Sequence, residues 1–142
     1  MQALINPAGP GGKCVTLARE GKAALFVTSF ILDEIRESHL KIPAKYGVTQ
    51  QQTEALAAAI ASVATLVIDV PEVFTYRRDP DDAHYVDVAL AINAKLIISR
   101  DRDLLDLMDE TSADGTDFKR KFPDLQVLDP VQFLALIRAS TP

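Results

Sequence analysis

Four short apolar runs, each set between helical stretches, constrain this chain more than any other feature. They are Ala24–Val27, Leu66–Val70, Leu96–Ser99 and Gln126–Leu128. Their apolarity is near-continuous rather than alternating, which suits strands covered on both faces. Helical patterns fill the intervals: Lys13–Glu20, Ser29–Leu40, Thr49–Ala64, Pro80–Asn93, Leu104–Met108 and Val131–Ala139. Gly21 stops the first, Pro43 bars extension of the second, and Pro80-Asp81-Asp82 is a good helix start. Strands alternating with helices predict an α/β fold: a three-layer α/β/α sandwich on a central parallel sheet. The 142 residues are read as one domain spanning 1–142, long enough to bury a core. Loops are expected at 6–12, 41–47, 70–80 and 109–117.

The net charge of −5 argues against a broadly basic, non-specific nucleic-acid surface. It leaves room for a small acidic pocket that recruits divalent cations, which would then face phosphates. No apolar run approaches the roughly 20 residues of a membrane span, and the N-terminal stretch does not read as a signal peptide. The single cysteine, Cys14, excludes an internal disulfide and a cysteine-built zinc site; it reads as a small apolar core residue in a helix. A cytoplasmic location is the expectation.

The informative pattern lies after the strands. Ala24–Val27 leads into a helix carrying Asp33 and Glu34. Leu66–Val70 leads to Asp79, Asp81 and Asp82, and Leu96–Ser99 to Asp101 and Asp103. In a parallel sheet all three groups reach the same edge, where ligands of such sheets bind. Carboxylates held together repel, so one must take a proton or a cation must join them. Hard oxygen ligands select Mg²⁺ or Mn²⁺. Taken one at a time, Asp79, Asp81 and Asp101 read as helix caps worth about 1 kcal/mol each. Glu34 is flanked by Ile31, Leu32 and Ile35 and is read as pointing inward. Asp87, Asp106 and Asp109 are read as solvated, His39 as an exposed helix-end residue, and His84 as surface or supporting packing.

Other chemistries lack their parts. There is no Gly-x-Ser-x-Gly for a hydrolase triad and no Gly-x-Gly-x-x-Gly after a strand. PAGPGGK has the wrong spacing for a P-loop and no Ser or Thr after its lysine. A phosphatase or receiver domain would need a lysine after a late strand, whereas Lys95 precedes one.

The stretch RDPDDAHYVDVALAINAKLIISRDRDLL (78–105) resembles the signature of PIN-domain ribonucleases, in the branch of toxin–antitoxin toxin components. LFVTSFILDEIRESHL (25–40) and PVQFLALI (130–137) are similar to further elements of that family. The resemblance implies a metal-dependent endoribonuclease. It places Glu34, Asp82, Asp101 and, as an accessory, Asp103 on the metal, with Asp79 and Asp81 beside them and Ser99 arranging the pocket. Arg78, Arg100 and Arg102 would grip the RNA backbone, with Arg77, Lys119, Arg120 and Lys121 as further cations. For each arginine the other reading is an ion pair with a neighbouring aspartate. The implied partners are RNA, a small antitoxin protein, and a second copy in a homodimer or higher oligomer, with no membrane. The Ala-rich stretch Thr49–Ala64 reads as core helix, with a dimer interface as its other use.

One family element has no counterpart. The family opens on a central strand ending in Asp-x-Asn, and its Asp is a metal ligand. Here MQALINPAGPGG is similar to the segment just after that strand, and no Asp precedes Asp33. The first central strand is therefore expected to be absent, in a chain truncated relative to the family or begun at an internal methionine. Two inner strand edges would then lie open. A swapped or substituted strand, or a partner, is expected to fill the slot. The alternative function is a degenerate PIN-fold domain, catalytically weak, that binds RNA or a partner protein.

Overall fold

The computed structural model describes residues 2–5, 16–22, 24–99 and 101–140. Its strands are β1 (Gln2–Ile5), β2 (Ala24–Val27), β3 (Thr65–Leu66), β4 (Leu96–Ile98) and β5 (Gln126–Leu128). They form one parallel sheet in the order β3-β2-β1-β4-β5. The helices are α1 (Ser29–Glu37), α2 (Gln50–Val63), α3 (Pro80–Ala91), α4 (Arg102–Leu105), α5 (Ala113–Lys121) and α6 (Pro130–Ser140), with short 3-10 turns at Ser38–Leu40, Ala44–Tyr46 and Asp106–Met108. Residues 16–19 are also helical.

The sheet separates two cores. In β4, Ile97 faces a larger core shared with Ile31 and Ile35 of α1, Ala57 and Ile60 of α2, Val86 and Val88 of α3, and Phe118 of α5. Leu96 and Ile98 face the other side, where Phe133 of α6 and Leu17 meet them. Helices on both faces of a parallel sheet make the three-layer α/β/α fold.

The middle of the sheet corrects one expectation. The central slot is not empty: β1 pairs with β2 through Ala3↔Leu25 and with β4 through Leu4↔Ile97. Residues 2–5 themselves form the central strand, so the N-terminal reading that left this slot open does not hold. The physical reason is the cost of two unpaired inner edges, each a row of buried backbone donors and acceptors. The reading of 6–12 as a loop and of Cys14 as core, with most of the 13–20 helix, falls outside the described residues.

Two further boundaries differ. The run Leu66–Val70 pairs only at Thr65–Leu66, with one more bond from the Val67 N–H to the Val27 carbonyl. Asp69 takes φ 56°, a left-handed turn that ends extension. Residues 109–117, read as a loop, contain the first half of α5. The Ser112 hydroxyl accepts from the Gly115 N–H and caps it. Gly115 is required there, because a Cβ would stand 1.9 Å from the Asp109 carbonyl oxygen. Elsewhere the expected helices form. Thr49 and Gln52 make a reciprocal capping box on α2. Thr53, Ala57 and Ile60 are its buried face, and Thr53 Oγ1 donates to the Arg36 carbonyl of α1, so this helix is core.

Candidate metal centre

Two helix starts build the centre. A loop, 67–79, ends at Asp79, whose carboxylate caps α3 by accepting from the Asp81 and Asp82 N–H groups. Pro80 occupies the first helical position, where a missing N–H costs nothing. Asp82 thereby lies in the first turn and points into the protein, 4% exposed. The second start follows β4, every residue of which is buried. Ser99 continues the strand, its N–H bonded to the Leu128 carbonyl, and its hydroxyl accepts from the Asp101 N–H at 2.9 Å. Asp101 then caps α4 by accepting from the Asp103 N–H at 2.9 Å. So Asp79 and Asp101 are caps, and both also face the same small space.

That space holds Asp79, Asp82, Asp101 and Asp103, each offering a carboxylate oxygen within 4.8 Å of the others. Asp82 shows the electrostatic consequence. Burial first, then the charges of Asp101, Asp79, Asp103 and Glu34, push its carboxyl up to about 8. Its Oδ2 is buried without a hydrogen-bond partner, alone in that among the described residues. A buried oxygen lacking a donor, ringed by like charge, is what a cation would satisfy. The donor set is all carboxylate, so the residues present fit a hard divalent ion.

The sequence-derived residues divide around this group. Asp82, Asp101, Asp103 and Asp79 come together. Glu34 stands next to them but outside the tight set: it is half-buried on α1, and the Tyr85 hydroxyl of α3 donates to its Oε2. Burial, then that bond, holds the Tyr85 hydroxyl far above its ordinary range, so it stays a donor. Asp81 is exposed and outside the group. Ser99 is fully buried and bonds Asp101, as a pocket-arranging residue would. Arg78 is engaged in ion pairs, with Asp103 at 2.5 Å and Asp106 at 2.7 Å. Arg102 is exposed and has no ion-pair partner among the described residues. Arg100 lies outside the described residues. Arg120 and Lys121 pair with Asp117 of their own helix.

Two solvated readings are corrected. Asp87 is 4% exposed, because its Oδ1 accepts the Val73 and Phe74 N–H groups at 3.0 and 2.7 Å and ties the loop to α3. Asp106 is partly covered by its pair with Arg78. Sequence reasoning also passed over supporting contacts. Thr28, the N-cap of α1, bonds His84 Nε2 at 2.9 Å, and Phe30 packs edge-on against the same ring. Tyr76 donates to the Asp103 carbonyl at 2.7 Å. His84 and Tyr85 together lock α3, which carries Asp82, onto α1, which carries Glu34. These partners lie 56 and 51 residues apart, and nothing local marks them.

A parallel α/β sandwich with an acid cluster at the carboxyl ends of its strands is the arrangement of an α/β domain whose edge can hold a divalent ion. A family model described as a PIN domain matches residues 1–103. An uncharacterized protein of Methanocaldococcus jannaschii is 34% identical over 111 residues, covering 78% of this chain and 70% of its own length. No solved structure matches the chain. The chain belongs to the PIN-domain family. PIN domains are nuclease domains that usually use a divalent metal, and the four-acid group is compatible with holding one. No helix among the described residues is long and apolar enough to cross a membrane.

Proposed function

We propose that this chain is a metal-dependent endoribonuclease, one PIN-like domain over 1–142, that acts in the cytoplasm as the toxin of a toxin–antitoxin pair. The observation that carries the nuclease reading is Asp82: a buried carboxylate with an unpartnered oxygen, surrounded by Asp79, Asp101 and Asp103. These four residues would hold Mg²⁺ or Mn²⁺, with Glu34 completing the site from α1. The ion would lower the pKa of a bound water and stabilise charge developing on the phosphoryl oxygens.

The chain's own residues do the positioning. Ser99 fixes the turn that aims Asp101, and Tyr85 fixes the rotamer of Glu34. Arg78 neutralises Asp103 and Asp106, so the acid group carries less net charge toward an incoming RNA. Arg102, with Arg100 beside it in sequence, supplies cations for the substrate backbone. A small antitoxin would act by occupying this acidic mouth, and a homodimer fits the resemblance.

The test is cleavage of a mixed-sequence single-stranded RNA with Mn²⁺, by the native protein and by Asp101→Asn. The variant is expected to lose at least about 100-fold in rate. Equal cleavage by both would remove the site assignment. A second reading, a degenerate domain that binds without cleaving, rests on the absence of any acidic residue before Glu20, where the family's first ligand would stand. Calorimetric titration with Mn²⁺ separates the two, since a degenerate site gives no saturable binding.

A further inference from the structure

Beside the acid group, on the other flank of the same helix start, is a cavity of about 520 Å³ that the nuclease reading does not use. Its size is within the range of small-molecule sites. The loop 72–77 forms one wall and α3 the other, through Pro80, Ala83, His84 and Asp87. Asp79 and Asp82 face the acid group while their chain neighbours Pro80 and Ala83 line the cavity. Neighbouring Cα atoms are about 3.8 Å apart, so the two spaces are within a single nucleotide's reach.

The wall has a built polar feature. Asp87 is 4% exposed, and its Oδ1 is spent on two backbone N–H groups. Its Oδ2 has no hydrogen-bond partner among the described residues. The cavity therefore offers a rigidly held carboxylate whose second oxygen is open to it and can take a donor. Phe74, Tyr76 and His84 supply ring surface around it. Asp87 is the acid at the inner wall, with Glu72 at the exposed side of the lining; both repel phosphate, and Asp87 favours a neutral group bearing N–H. Arg77 lies at the exposed side of the lining, where a phosphate would remain outside.

We propose that this cavity receives one nucleobase of the RNA strand, and that Asp87 selects bases carrying an exocyclic amino group: adenine, cytosine or guanine. Uracil offers only a ring N–H flanked by two carbonyl oxygens, which the carboxylate repels. The proposal rests on the nuclease reading for its substrate, but its test does not.

Adenosine, cytidine and uridine are neutral, so the acid group does not repel them. Each is titrated into the metal-free protein while the ring resonances of Tyr76 and His84 are followed by NMR. Adenosine and cytidine are expected to bind at least about tenfold more tightly than uridine. Thr75→Trp fills the mouth from an exposed position and is expected to abolish the shifts. Asp87→Asn keeps an oxygen for the two loop N–H groups and presents an amide donor to the cavity, so the preference over uridine is expected to fall at least about tenfold. No saturable shift with any nucleoside, or identical titrations for native protein and Thr75→Trp, overturns the proposal. So does an unchanged preference in Asp87→Asn. Nucleoside selectivity without RNA cleavage would leave the pocket standing and remove only the nuclease reading.

Discussion

Replacing Asp82 by asparagine is expected to stabilise the metal-free protein, although it removes a residue from the centre of the site. Burial and four neighbouring acids raise this carboxyl from 3.8 to about 8. The folded state therefore binds a proton that the unfolded chain has released, and stability falls as pH rises from about 4 through about 8. Roughly four units at about 1.4 kcal/mol each sets an upper bound near 6 kcal/mol. Water reaching the half-open acid group screens part of this, so about 2–3 kcal/mol is the working figure at pH 8. For a domain of this length that is about 6–10 °C in Tm. Melting in EDTA at pH 8 should show Asp82→Asn above the native protein by that margin, and the gap should shrink by more than half at pH 5, where Asp82 is protonated. Adding Mn²⁺ should raise the native Tm and leave the variant unmoved. A variant that melts at or below the native protein in EDTA at pH 8, or a gap independent of pH, would refute the electrostatic account.

Gly115→Ala drives a Cβ onto the Asp109 carbonyl, so urea titration should show a loss of at least about 2 kcal/mol. Asp87→Ala strands the Val73 and Phe74 N–H groups and should cost about 2–4 kcal/mol by the same measurement. Tyr85→Phe keeps the ring but frees Glu34. Its Mn²⁺-dependent RNA cleavage should fall about tenfold, with kcat rather than KM affected, and its urea midpoint should stay near the native one. A tenfold loss matched by an equal drop in stability would assign Tyr85 to folding alone.

The layered fold and the edge of the sheet were legible because both follow from local signals. Near-continuous apolar runs mark strands buried on two faces, as β4 is, and Pro-Asp-Asp marks the start of α3. The convergence of Asp82 and Asp101 then follows from parallel strand direction. What stayed hidden depends on distant partners. Asp87 looks solvated until the loop at 73–74 folds back to donate two N–H groups to it. Glu34 reads as a ligand equal to the aspartates, yet Tyr85 holds it at the border of the group. The helix α5 was masked by Asp-Gly-Thr, a turn-like composition that a Ser112 cap and a close approach to Asp109 turn into a helix start. The filling of the central slot by Gln2–Ile5 is a sheet-wide demand, and no local pattern announces it.

That central strand sets a timetable for folding. Residues 2–5 leave the ribosome before any other described segment, and their first partner, β2, follows some twenty residues later. Their second, β4, emerges only after Ile98 has been made. A nascent chain shorter than that carries one open strand edge through most of its synthesis. Closing the sheet across such a long loop is slow, and it leaves the edge open to other chains meanwhile. The acid cluster cannot assemble before the same event, because Asp101 and Asp103 follow directly on the strand that completes it. The half-made protein thus lacks the complete four-acid group.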